Sequence, residues 1–130
     1  MIEMLKSKLC RLKVTAVNPQ ADGAMEIDGA LMRSAMLRPF QRLMVVNRET
    51  GLRFETFALP VPDAGAVRLN GADARLAEPG DFIDVEVFQV LDESKVDSQY
   101  ACIRIVVDEN NLLKKPKNAD DKAAVAGNPK

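Results

Sequence analysis

The sequence predicts a mainly β fold, a small closed barrel with about six or seven short strands and at most about two or three short helical pieces. Two observations point there. Apolar residues make up 47% of the 130 positions but aromatics only 5%, so the core must be built from Val, Leu, Ala, Ile and Met. Short apolar or alternating runs recur along the chain, each closed off by Pro or Gly, and no internal repeat interrupts them. Strands this short leave sheet edges to hide, so closure or association is expected.

The elements follow in order. "KLCRLKVTAV" (Lys8 to Val17) reads as a strand from its β-branched end, although Leu9, Leu12 and Val14 break strict alternation. "NPQADG" is a loop punctuated by Pro19 and Gly23, and "AMEID" is a short strand. Asp28 suits the N-cap of a helix over 29–36, with Leu31, Ala35 and Met36 on one side, stopped by Pro39. The segment 42–59 reads as a hairpin, strands 42–48 and 53–59 about a Glu49-Thr50-Gly51 turn, and Pro60 and Pro62 open the next loop. "AVRLNGADARLAEPGD" is a short strand, an Asn-Gly turn, one helical turn and a Pro79-Gly80 turn. In "DFIDVEVFQV", Ile83, Val85 and Val87 face one way, and Phe82, Asp84, Glu86 and Phe88 the other. "ACIRIVVDE" is a last strand. From about Asn110 the composition turns to Lys, Asn, Asp, Ala and Pro, so 1–109 reads as the folded domain and 110–130 as a polar, disordered tail.

Composition also excludes function classes. A net charge of −1 supplies no basic field for nucleic acid. No apolar run approaches the ~20 residues of a membrane span, and "MIEMLKSKLCRL" is too charged for a signal peptide. Cys10 and Cys102 stand alone, with no CxxC pair, so no zinc or other metal site is expected, and a reduced, cytoplasmic setting follows. The chain has no histidine, which removes the usual general base.

The segments "MLKSKLCRLKVT", "DGAMEID", "TGLRFETFAL" and "LNGADARLAEPGD", in this order and spacing over about residues 1–108, resemble pyruvoyl-dependent aspartate 1-decarboxylase. The resemblance implies a six-stranded double-psi β-barrel with short helices, assembled as a homotetramer with sites between subunits. It also implies decarboxylation of L-aspartate to β-alanine. In that family a Gly-Ser bond breaks through an ester, and the serine becomes a pyruvoyl group. Here the glycine matches Gly23, but the serine position is Ala24, and no Ser, Thr or Cys lies between Thr15 and Ser34. A methyl group cannot attack a carbonyl. The expectation is an uncleaved chain with no pyruvoyl cofactor, and so no electron sink of that kind for a carbanion.

Other matches and departures follow from the same resemblance. Lys8 and Arg53 match cations that meet substrate carboxylates, and Thr56 and Asn70 match residues around processing and the site. Phe57 replaces a tyrosine with a proton-donor role, Cys10 a histidine and Ala21 a tyrosine. Asp84 stands where an aliphatic residue is general.

Each of these residues also has an ordinary reading. Arg53 could be a surface charge, but a planar guanidinium suits a carboxylate through two parallel hydrogen bonds. Lys8 and Cys10 share a face and Lys6 extends the row, which can be a basic strand with a small buried thiol. The sharper forms are a Cys10 nucleophile activated by a neighbouring ammonium, or a Lys8 Schiff base assisted by Lys6. Asp84 and Glu86 can be solvated, or Asp84 can be an acid–base group beside Lys8. Asn70-Gly71 is first a turn, Thr56 an ordinary strand residue, and Tyr100 a core residue with one satisfied hydroxyl. Three functions remain open. The chain is a repurposed enzyme acting on a small amino or carboxylic acid, with Cys10, Asp84 and Lys8 as catalytic candidates and Arg53, Lys8, Thr56 and Asn70 binding substrate. Alternatively it is a non-catalytic homologue that binds a small carboxylate or a partner protein, or an aspartate decarboxylase that uses a different electrophile.

Overall fold

The structure, a computed structural model, describes residues 1–114. Its strands are β1 (Ile2–Lys13), β2 (Ala16–Asn18), β3 (Ala24–Asp28), β4 (Arg42–Asn47), β5 (Arg53–Val61), β6 (Val67–Asn70), β7 (Phe82–Leu91) and β8 (Ile103–Val106). One helix, α1 (Gly29–Ser34), and 3-10 turns at Gly71–Arg75 and Glu93–Lys95 complete them.

The strands join in the order β2-β6-β3-β5-β4-β7-β1-β8. No hydrogen-bonded ladder joins β2 back to β1, so the sheet is not closed in that sense. Yet β1 and β2 are consecutive pieces of one stretch of chain, separated only by Val14 and Thr15. Counting them as one gives six strands whose circuit begins and ends on the same backbone, with β8 added outside β1 in parallel. This is the mainly β, barrel-type architecture expected.

Alternation places the core. Ile83, Val85 and Val87 of β7 are fully buried, as are Leu9 and Leu12 of β1, Leu43 and Val45 of β4, and Met25 and Ile27 of β3. The broken parity of β1 has a local cause. Leu9 pairs with Val85 and Leu12 with Ile83, so β1 spends one residue more than β7 over this span. Arg11 carries the surplus at φ 54°, a left-handed conformation, and both leucines thereby point inward.

Three boundaries differ from the expectation. The first strand begins at Ile2 and breaks at Val14–Thr15, where both amides bond elsewhere, to the Asp81 and Val67 carbonyls. β5 runs through Pro60, because there it pairs only with β3 (Ile27 opposite Pro60) and its ladder with β4 has ended at Phe57. A proline is tolerated where one side of the strand has no ladder to donate to. α1 is capped by Asp28, which accepts from Ala30 N at 2.8 Å, but it ends at Ser34. Met36 at φ 56° turns outward, so Leu31 and Ala35 are buried while Met36 is exposed.

The expected tail, 110–130, lies mostly outside the described residues. Within them, Asn111 is 1% exposed and sits at φ 60°. Its side chain accepts from Lys13 N at 2.8 Å and donates to Lys13 O at 2.7 Å and Gly65 O at 3.0 Å, stitching the segment after β8 to β1 and to the loop before β6. Among the described residues no helix is long and apolar enough to cross a membrane.

Ser7, fully buried on β1, has a hydroxyl with no hydrogen-bond partner. A buried polar group left unpaired costs about 1–3 kcal/mol. Ser7→Ala is therefore expected to stabilise the fold by roughly 1 kcal/mol, read as a higher urea midpoint at unchanged m. A lower midpoint would mean that the hydroxyl is satisfied in solution.

Candidate functional site

Two neighbouring regions collect the candidate residues. The first is the Gly23–Ala24 loop. Ala24 opens β3, pairs with Asn70 of β6 and is 2% exposed, while Gly23 is exposed. The next residue turns sharply. Gly71 has φ 67°, and a Cβ there would stand 2.8 Å from both Cα and N of Gly23. Only glycine lets the two backbones meet this closely. Phe57 and Ala24 each lie one residue before the paired Ala58 and Met25, so the substituted tyrosine position starts alongside the substituted serine position.

Thr56 and Asn70 flank this loop on β5 and at the end of β6. Both are buried, at 9% and 7% exposure. Among the described residues neither side chain has a hydrogen-bond partner, and Asn70 makes no cap bond to the turn that follows it. Ser7 Oγ is the one fully buried side-chain polar atom without a partner among the described residues, so the polar atoms of Thr56 and Asn70 keep access to solvent or a ligand beside the glycine contact.

The second region is the outer face of the β1–β7–β4–β5 sheet. Lys8, Glu86, Met44 and Glu55 are directly opposed from strand to strand and form one transverse row. Asp84, Val46 and Arg53 form the next. Period-two alternation puts Cys10 on β1 and Phe57 on β5 on the same face. Thr56 lies on the opposite face of β5 from Arg53, turned inward, so one short ligand cannot reach both from the same side of the strand.

Here the acidic residues are not idle surface charges. Asp84 is buried, accepts the Arg11 amide at 2.9 Å and pairs with Arg48 at 2.8 Å. It satisfies the N–H that the β1 bulge turns away from the ladder. The reading of Asp84 as a solvated side chain is therefore corrected, and as an acid–base group it is already committed twice. Glu86 accepts from Arg53 Nη2 at 2.8 Å across the whole width of β4. Neither ion pair was visible in the sequence, because partners 36 and 33 residues apart meet only through strand register.

Lys6 sits at a register shift between Leu5 and Ser7 and donates to the Met36 carbonyl at 2.6 Å, which commits its ammonium. Lys8 has no carboxylate within ion-pair distance among the described residues. Burial pushes the Cys10 thiol up; Arg104 beside it pulls it down, Asp84 pushes it up again, and Lys8 lowers it least. The net direction opposes the thiolate that a nucleophile needs. Phe57 stacks on Phe40 with ring centroids 6.1 Å apart, and both are exposed, which leaves an apolar patch at one end of this face. Tyr100, the one tyrosine, is half-buried; it donates to the Leu5 carbonyl and accepts from Gln89, so its hydroxyl is satisfied.

No group of three or more Cys, Asp or Glu able to hold a metal occurs among the described residues. The residues present do not fit formation of a pyruvoyl group either, since a side-chain oxygen or sulfur at position 24 would have to attack the Gly23 carbonyl and then leave by β-elimination, and Ala24 has neither.

A family model described as "Aspartate decarboxylase" matches residues 1–114. The aspartate 1-decarboxylase of Coprothermobacter proteolyticus is 36% identical over 118 residues, which cover 90% of this chain and 96% of that protein. That of Salinibacter ruber is 38% identical over 121 residues, 92% of this chain and 82% of that protein. That of Campylobacter jejuni is 34% identical over 124 residues, 95% and 98% respectively.

Proposed function

Because this chain belongs to the aspartate decarboxylase family, we propose that it keeps the family's acid-binding site but not its self-made cofactor, and binds a small carboxylic or amino acid as an uncleaved chain. The observation that carries the proposal is Ala24 at the start of β3, beside Thr56 and Asn70. Thr56 and Asn70 stay beside the loop with no side-chain hydrogen bond among the described residues, while the residue that would rearrange has no heteroatom. The cleft lies between copies in a homotetramer, where a second chain would cover the Phe40–Phe57 patch. Two isolated thiols fit a reducing, cytoplasmic setting.

Binding ranks ahead of turnover because the proposed acid–base residues are spoken for. Asp84 holds the β1 bulge and Arg48, and the Cys10 thiol is held protonated by burial. A second reading rests on one observation, the uncommitted Lys8 ammonium. In that reading the Lys8 amine forms a Schiff base with a keto acid, and the protein is a repurposed enzyme.

The first test is mass. A denatured sample is expected to give one species of 14.3 kDa. Two pieces parted after Gly23 would overturn the account of the loop. The second test is ligand-induced thermal stabilisation by small mono- and dicarboxylic acids, about 2.7 kcal/mol when the ligand is at a hundredfold excess over its Kd. Lys8→Ala is expected to abolish the shift. A borohydride-stable adduct on Lys8 would favour the enzyme, and an unchanged shift in Lys8→Ala would remove the face from consideration.

A further inference from the structure

We infer that the carboxylate of the acid is received by Arg104 together with Lys8, in a groove beside β8, and not by Arg53. The inference rests on the reading of this face as an acid-binding site and names the residues that hold the ligand.

Arg104 lies on β8 directly opposite Lys8 in the parallel ladder with β1, as Val106 lies opposite Cys10. The intervening Leu9 and Ile105 are buried, so alternation turns these four side chains to the outer face. Arg104 is half-buried and stands beside the Cys10 thiol. Burial raises that thiol, and of the charges around it Arg104 acts most strongly, ahead of Asp84 and Lys8. A groove of about 350 Å³ opens here, and its walls include Cys10, Arg11, Phe82, Arg104, Val106 and Lys114. Phe82 and Val106 give it apolar surface, which suits a short hydrocarbon chain behind a carboxylate.

The arginines elsewhere on the sheet are engaged. Arg42 pairs with Glu3 and Glu55, Arg48 with Asp84 and Arg53 with Glu86. Arg11 lies over the Phe82 ring at 4.7 Å, and Lys114 is exposed. Among the described residues neither Arg104 nor Lys8 has a carboxylate within ion-pair distance. Glu86, next to Lys8 in the row, is held by Arg53. In the groove, Asp108 turns one oxygen to the Asn110 and Leu112 amides, and Glu109 is exposed. Two cations directly opposite on adjacent strands repel. A carboxylate set between them removes that repulsion. It meets the guanidinium fork through two parallel hydrogen bonds, with the Lys8 ammonium as a point charge at its side.

Isothermal titration of the full chain with butyrate tests this, with butyramide as the uncharged control. The wild type should bind butyrate and not butyramide. Arg104→Gln and Arg104→Ala should each weaken butyrate by about tenfold or more, the scale of a hydrogen bond to a charged group. Arg104→Lys keeps the charge without the fork and should fall between. A second measurement needs no variant, and so decides the matter even if the Arg104 variants fold poorly. Cys10 lines the groove while Cys102 is buried. Bound butyrate should therefore slow alkylation of Cys10 by uncharged iodoacetamide, about tenfold at about ten times its Kd. Three results would each overturn the inference: equal binding of butyramide, butyrate affinity within about twofold of wild type in the Arg104 variants, or Cys10 alkylation that butyrate does not slow. The acid-binding reading stands in those cases if butyrate binding is still abolished by Lys8→Ala. If the wild type does not bind butyrate, both fail.

Discussion

Asn111→Ala is expected to destabilise the protein by roughly 3–5 kcal/mol, enough to remove a large part of the stability of a domain this size. The side chain is 1% exposed and makes three hydrogen bonds to backbone groups of Lys13 and Gly65. Truncation leaves one amide and two carbonyls without partners where water cannot readily replace them. It also places alanine at φ 60°, which asparagine tolerates better. Asn111→Gly separates the two effects: it relieves the backbone but restores no hydrogen bond, so it should recover only about 1 kcal/mol. Urea denaturation of the three proteins checks this. A loss under about 1 kcal/mol for alanine would show that the segment after β8 does not anchor the barrel.

Gly71→Ala should cost about 3 kcal/mol or more, through two additive faults. At φ 67° a Cβ is strained before it meets anything. It would then stand 2.8 Å from backbone atoms of Gly23 and 3.1 Å from the Ala21 carbonyl, so the loop or the turn must move. Gly51 provides the control: its φ is 80°, but nothing lies within 4 Å of its missing Cβ. Gly51→Ala should therefore show only the backbone term, about 1–2 kcal/mol. The Gly71 variant should also lose acid-induced stabilisation in proportion to loop displacement, whereas the Gly51 variant should keep it. Equal melting temperatures for the two variants would mean that the close approach of the two glycines is not maintained in solution.

What the sequence made legible was local. Period-two alternation identified the buried face of β7, because Ile83, Val85 and Val87 need no knowledge of their partners. Asp28 announced a helix start, and the Glu49-Thr50-Gly51 turn fixed a hairpin, since caps and turns are decided within a few residues. The β1 bulge showed only as a fault in alternation at Leu9 and Leu12, and its remedy lies on β7 in Asp84. Asn111 was indistinguishable from tail by composition, because its three partners are 46 or more residues away. The candidate site divides in the same way. Ala24 could be judged from one residue's chemistry. That Arg53 and Thr56 occupy opposite faces of β5 follows from their odd spacing, but the Glu86 partner of Arg53 required the alignment of three strands.

The circuit that starts and finishes on the segment 2–18 gives the barrel an unusual tolerance. Every ladder of β1 and β2 runs to a strand beyond residue 60, and β3 is gripped from both sides by β5 and β6. Severing the peptide link after Gly23 would therefore interrupt no pairing: the short amino-terminal piece would remain threaded through the longer one like a stave in a cask. Architecture alone does not require position 24 to remain joined to its predecessor, and whether the backbone there stays whole is a matter of side-chain chemistry.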